Sequence, residues 1–200
     1  MEDTTPSCGA YNNLLCKEIA MDHVILEHRE LIHRGAILDV YADTVRLPNG
    51  HTEDWDFISH RKGAAAVLPV LDDGRIILVH QYRHALERMT WEVPAGSRDS
   101  VEEDTAVCAA RELEEETGYR SNCLEPLLSL RTTVAFCDEF IDVYLATGLE
   151  PGEQHLDDAE TIEVQPWDMQ EALAKIYDGT IQDAKTVSAI LAYQVKRLSH

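Results

Sequence analysis

The chain predicts an α/β (α+β) fold, a mixed sheet sandwiched with helices, and three observations carry that expectation. Two near-continuous apolar runs, 63–71 and 75–82, flank Asp72-Asp73-Gly74 and have the character of central strands. A capped helical segment, 105–117, carries a small-residue face suited to close packing on a sheet. A β-rich stretch, 22–60, is punctuated by Pro48-Asn49-Gly50.

In chain order, residues 1–13 are polar and read as a tail. Residues 23–33 and 36–47 are β-rich, Pro48-Asn49-Gly50 turns the chain, and 51–59 alternates with Trp55 and Phe57 on one face. This meander is thin and needs another sheet or another subunit to cover it. The 63–71 and 75–82 runs follow, expected as a hairpin. Asp104 is placed to cap a helix over 105–117, and Gly118 to stop it. Ala106, Ala109, Ala110 and Leu113 form its core side. Strands are expected near 124–133, 139–147 and 160–166, with a loop at 148–159. Asp168 and Glu171 form a capping box for a helix ending at Gly179, and a last helix spans about 183–198.

Composition narrows the function. With 17 basic against 37 acidic residues, the net charge of −20 leaves no basic stripe for a nucleic-acid backbone. A small diphosphate remains acceptable, because metal ions and a few arginines invert the local field. The five cysteines are scattered without a Cys-x-x-Cys pair, which reads as reduced thiols of a cytoplasmic protein. No apolar run reaches membrane-spanning length and the N-terminus has no signal-peptide character, so no membrane association is expected.

The chemistry concentrates in Arg111-Glu112-Leu113-Glu114-Glu115-Glu116-Thr117-Gly118, downstream of Pro94-Ala95-Gly96. On a helix, Glu116 lies about 40° round from Glu112 and Glu115 about 60° the other way, so three carboxylates converge. Like charges at i,i+4 cost roughly 0.2–0.5 kcal/mol per pair. A hard divalent cation with oxygen ligands would offset that repulsion. A solvated helical face would explain a glutamate run by itself, but the surrounding pattern adds to it.

From Gly96 to Tyr119 the chain reads G-x6-E-x7-R-E-L-x-E-E-x-G-Y, with Glu103 as the first acid. This resembles the Nudix box, with one extra residue before Glu103, in the loop ahead of the helix, where it leaves the phase of the acids intact. Pro48-Asn49-Gly50, Val79-His80-Gln81-Tyr82-Arg83, Trp91-Glu92-Val93-Pro94-Ala95-Gly96 and Ile181-Gln182-Asp183-Ala184-Lys185-Thr186 extend the likeness to ADP-ribose pyrophosphatases, a Nudix subfamily, over roughly residues 22–195. The resemblance implies a Nudix-type α/β/α sandwich of mixed sheet with an N-terminal antiparallel β arm. Residues 1–60 would be the tail and the dimerising, substrate-binding arm, and 61–200 the hydrolase domain. It also implies a homodimer acting on a nucleoside-diphosphate sugar.

By the same resemblance Glu112, Glu115 and Glu116 bind Mg²⁺ (Mn²⁺ being the alternative), joined by the Ala95 carbonyl. Glu103 either binds metal or holds the helix start. Arg111 orients the acids through a salt bridge, while Glu114 points away into solvent. Arg83 ends a strand, where it would clamp phosphate or else form a surface ion pair. Trp55 would stack on adenine or pack in an interface. The water-activating carboxylate would come from the loop after the helix, with Asp158, Glu160 and Glu153 as the candidates. Arg61, Arg98 and the nine histidines show no ligand spacing.

One departure bears on the substrate. ADP-ribose pyrophosphatases commonly carry a Pro-Gly step after the box, where this chain has Thr133-Val134-Ala135-Phe136-Cys137. Another nucleoside-diphosphate sugar is therefore the alternative substrate. A ligand-sensing domain without catalysis is a further alternative, disfavoured because all three box acids are present.

Overall fold

A computed structural model describes residues 23–156 and 161–199. The expected tail at 1–13 and the loop acids Asp158 and Glu160 lie outside the described residues.

Among the described residues, three sheets and three helices make up the fold. Strands β1 (Ile25–Arg34), β2 (Leu38–Arg46) and β3 (Thr52–His60) form an antiparallel meander in that order. Strand β4 (Ala64–Pro69) crosses into the body of the molecule, followed by β5 (Ile76–Arg83), a 3-10 turn at His84–Leu86, β6 (Arg88–Glu92) and β7 (Ala95–Ser97). Helix α1 (Thr105–Thr117) leads to β8 (Tyr119–Arg131), β9 (Phe140–Pro151), β10 (Ile162–Trp167), α2 (Met169–Tyr177) and α3 (Ala184–Leu198). One sheet has the order β10-β5-β6, and the other β7-β4-β9-β8, with β4 and β9 parallel and the remaining pairs antiparallel.

The alternation of β4 sets the layers, since successive side chains of a strand point to opposite faces. Ala65 and Val67 pack with Cys108, Ala109 and Leu113 of α1. Ala64, Ala66 and Leu68 face a larger core built from Ile76, Leu78, Trp167 and residues of α2 and α3. All six β4 residues are buried, as the unbroken apolar run requires. By contrast every residue of β1 is exposed, including Ile25, Leu26, Leu31 and Ile32. The meander is tied to the body by Ile58 bridging Cys137, by Asp138 accepting from Ser59 and His60, and by Arg61 donating to the Gly35 and Ala36 carbonyls.

Four expectations change. The two apolar runs form a hairpin only at its tip, where the Leu71 N–H donates to the Arg75 carbonyl and the Gly74 N–H to the Leu71 carbonyl. Apart from a single bridge, Val70 to Ile76, β4 and β5 lie in different sheets, each between two other partners. Strands β6 and β7 flank the Pro94 turn, where the sequence shows only an approach to it. Strand β8 starts at Tyr119, directly after Gly118, instead of near 124. The loop expected from 148 starts at 152, because Ser121, Arg120 and Tyr119 supply ladder partners for Leu149, Glu150 and Pro151. Arg120, Glu150 and Pro151 are exposed, so no apolar run marks a strand there before the pairing is seen.

Candidate active site

Helix α1 places the acids. The Asp104 side chain accepts from the Ala106 N–H at 2.8 Å, closing the N-terminus. Gly118, at φ 71°, ends the helix and donates to the Glu114 carbonyl. With Cys108, Ala109 and Leu113 anchored in the core, the 3.6-residue repeat leaves Glu112 and Glu116 buried beneath Ala95 and Gly96 of β7, 8% and 3% exposed. The Ala95 N–H donates to Glu116 Oε2 at 3.1 Å.

Arg111 gathers the rest. One guanidinium nitrogen donates to Glu112 Oε1 at 2.7 Å and to Glu115 Oε2 at 2.9 Å. Its Nε reaches Glu103 Oε1 at 3.4 Å, and its other nitrogen the Ser97 carbonyl at 3.2 Å. Burial works against this charge, but the Glu112 carboxylate and the hydrogen bonds to Glu103, Glu115 and Glu112 raise its pKa further above the ordinary arginine value. Glu103 also accepts from the Asp99 N–H at 2.6 Å, so it stands at the helix entrance as a brace between loop and Arg111. Burial opposes its ionisation, while the Asp99 and Arg111 hydrogen bonds hold its carboxyl below the usual range. Glu114 points away as expected, though it is paired with Arg120.

A cavity of about 240 Å³ opens on this group, lined by Ala95, Gly96, Arg111, Glu112, Glu115 and the unforeseen His155. Among the described residues no three His, Cys, Asp or Glu side chains stand together as a metal-binding set. Glu112 and Glu115 instead share the Arg111 nitrogen. The donors nonetheless suit a hard divalent cation: they are oxygen-only, two of them already converge on one cationic atom, and Gly96, having no side chain, gives the Glu112 carboxylate its place beside them.

Arg83 lies at the end of β5 beside a larger cleft of about 630 Å³, lined also by Thr132, Thr133, Glu139, Arg88 and Gln182. It is ion-paired, but the pair is not a surface one. Its Nε and one terminal nitrogen meet Glu92 at 2.7 and 2.6 Å, and Glu92 is 2% exposed. Burial would raise the Glu92 pKa, yet the Arg83 hydrogen bonds and Lys185 bring it down to about 2. The Arg83 side chain itself remains 41% exposed. Trp55 is exposed on β3 and lines a separate cavity of about 560 Å³ with Asp54, Asp56, Ile58, Ala135 and Phe136.

Glu153 is exposed at the start of the loop after β9. That loop is clipped to the end of α1 through main-chain carbonyls: Gly152 N–H donates to that of Gly118, His155 N–H to that of Glu115, and the Gln154 side chain to that of Glu116. The sequence by its motifs assigns no role to Glu92, Lys185, Gln154 or His155. For Glu92 there was a signal, a charge within the run Thr90-Trp91-Glu92-Val93 just before the turn. For the others the positions are set by contacts distant in sequence.

Residues 60–190 match the NUDIX domain family. The chain belongs to that family. This Nudix chain is 40% identical over 170 residues to an ADP-ribose pyrophosphatase of Bacillus subtilis (strain 168), a match covering 84% of this chain and 91% of that protein. It is 39% identical over 169 residues to a methanol dehydrogenase activator of Bacillus methanolicus, covering 84% and 90%. A crystal structure described as an ADP compounds hydrolase superposes with a TM-score of 0.78 at 22% identity, covering 86% of this chain and 92% of that one, and supports the Nudix fold. Nudix hydrolases as a family use divalent metal ions. Among the described residues no helix is long and apolar enough to cross a membrane.

Proposed function

We propose that the protein hydrolyses the diphosphate of ADP-ribose, releasing AMP and ribose 5-phosphate, with Mg²⁺ as the metal and Mn²⁺ as a substitute. The observation that carries this reading is the convergence of Glu112 and Glu115 on a single Arg111 nitrogen, beside Glu116 and the start of β7 at Ala95. The pyrophosphatase name of the Bacillus subtilis relative supports the substrate.

Glu112, Glu115 and Glu116, with the Ala95 carbonyl, would hold the metal, and Glu103 would brace Arg111. When bound, the metal offsets the charge of the diphosphate and polarises a phosphoryl oxygen. Arg111 keeps the carboxylates aligned. Arg83 binds the diphosphate from the neighbouring cleft through N–H groups that Glu92 leaves unused. Water attacks one phosphorus, the bond from that phosphorus to the bridging oxygen breaks, and a loop carboxylate takes the water proton. Glu153, Asp158 and Glu160 are the candidates for that base. Trp55 offers a ring for the adenine.

Residues 1–60 would act as a tail and arm that pairs two copies, a role consistent with the exposed apolar residues of β1. The thiols at Cys108, Cys123 and Cys137 are free, which suits a cytoplasmic protein. A second reading keeps the chemistry and changes the sugar. It is favoured by Thr133 and by Ala135 and Phe136, which line the Arg83 and Trp55 cavities where the subfamily commonly has its Pro-Gly step.

The test is incubation with ADP-ribose and Mg²⁺, following AMP and ribose 5-phosphate by chromatography, with EDTA and Glu116→Gln as controls. Metal-dependent release of both products is expected. If folded protein releases neither, ADP-ribose is not the substrate and the second reading is tested on a panel of nucleoside-diphosphate sugars.

A further inference from the structure

The segment Asp183-Ala184-Lys185-Thr186 opens α3, and the proposed chemistry assigns it no part. Its contacts are specific. Asp183 caps the helix, accepting from the Thr186 N–H at 2.9 Å and from Thr186 Oγ1 at 2.6 Å. Thr186 is fully buried, and its Oγ1 in turn accepts from the Val93 N–H at 2.8 Å. Lys185 is 9% exposed, with Nζ 2.5 Å from Glu92 Oε2 and 3.1 Å from Asp183 Oδ2. The first turn of the last helix therefore grips Glu92, which ends β6, and Val93, which leads through Pro94 to β7.

The bonds at Glu92 explain what that grip achieves. Oε1 accepts from Arg83 Nε and Thr90 Oγ1, and Oε2 accepts from the other Arg83 nitrogen and Lys185. A carboxylate offers about four acceptor sites, and all of them are used. Its plane is fixed, and with it the plane of the Arg83 guanidinium, which pairs in a two-point fork. Lys185 has a second effect. It shares the Glu92 charge, so Arg83 is less fully neutralised by its anchor and keeps a positive potential toward the cleft that both residues line.

We propose that Lys185 is a positioning residue for substrate binding, completing the Glu92 anchor that aims Arg83 at the diphosphate. This rests on the reading of Arg83 as a substrate-binding group. The experiment measures KM and kcat for ADP-ribose with Mg²⁺ in the wild type, Arg83→Ala, Lys185→Met and the double variant. Arg83→Ala should raise KM by about 10- to 100-fold, the range for losing a charged hydrogen bond. Lys185→Met should raise KM at least about 10-fold with kcat little changed, and should add nothing once Arg83 is gone. A purely structural loss would lower kcat as well and would persist in the Arg83→Ala background.

If Arg83→Ala leaves KM unchanged, the substrate role of Arg83 fails and the inference with it. If Arg83→Ala raises KM while Lys185→Met does not, or the two effects multiply, Arg83 keeps its role and the Lys185 inference is overturned. Should Lys185→Met fail to fold by circular dichroism, Glu92→Gln with Lys185→Met replaces it and removes the buried acid together with its second cation. That pair should show the same rise in KM, and a wild-type KM would overturn the inference.

Discussion

The carboxylate of Glu112 occupies the space that a Cβ on Gly96 would fill: such an atom would lie 2.1 Å from Oε1 and 2.6 Å from Oε2. Glycine is needed there for the neighbour it admits, since its absent side chain is where the acid sits. Gly96→Ala should therefore displace Glu112 while leaving the sheet intact. Turnover should fall by about 10²-fold, the usual scale for a misplaced reacting group. The thermal midpoint should change little, because the displaced atoms are the tip of a flexible side chain. Steady-state kinetics and a melt on the same preparation separate the two effects.

Glu116→Gln keeps the shape and removes the charge. If Glu116 holds metal, kcat should drop by about 10²–10⁴-fold, corresponding to several kcal/mol of lost transition-state stabilisation. Mn²⁺ binding, followed by electron paramagnetic resonance without substrate, should weaken in parallel. Unchanged Mn²⁺ affinity would remove Glu116 from the metal set.

The Glu92 anchor makes stability depend on acid pH. Its folded pKa is about 2, against an ordinary 4.5. A depressed carboxyl contributes stability above its unfolded pKa and loses it as pH falls through the folded value. The window is thus from about 4.5 down to about 2, and the contribution at stake is on the order of 3 kcal/mol. Urea melts of the wild type and Glu92→Gln across that window should converge as pH falls. Parallel curves would mean that Glu92 titrates alike in both states.

Cys108 is fully buried against the sheet, and desolvation pushes its thiol up to about 12, with Arg111 opposing. Thiolate is the reactive form, so native protein at pH 8 should leave Cys108 unlabelled while exposed Cys123 reacts. Peptide mapping after brief alkylation, with and without denaturant, reads this directly.

The exposed apolar residues of β1 give the arm a test of its own. Ile32 is 59% exposed on a strand with no buried residue. If β1 pairs copies of the chain, light scattering should report a dimer at micromolar concentration, and Ile32→Glu should shift it toward monomer. A wild-type monomer would remove the arm's proposed pairing role.

Much of this was legible because it is local. The cap at Asp104, the stop at Gly118 and the 3.6-residue spacing of Glu112, Glu115 and Glu116 are properties of one short segment, and so were readable without tertiary contacts. The burial of β4 followed from an unbroken apolar run. Beyond its tip the hairpin failed for the opposite reason. Two buried strands joined by a short turn look alike whether they pair with each other or with third parties, and β4 and β5 each found other partners. The extension of β9 to Pro151 likewise depended on Tyr119–Ser121 lying alongside.

The family, the box helix and the phase of Glu112, Glu115 and Glu116 are written in one short segment, because side-chain direction along a helix is set by the backbone repeat alone. What those acids meet comes from the packing. Arg111 binds Glu112 and Glu115 together with Glu103 of the preceding loop, Gly96 yields its side-chain space to Glu112, and Lys185 completes the hydrogen bonds of Glu92 from the last helix. Burial and hydrogen-bond partnership arise between segments distant in the chain, and no window of sequence contains both partners.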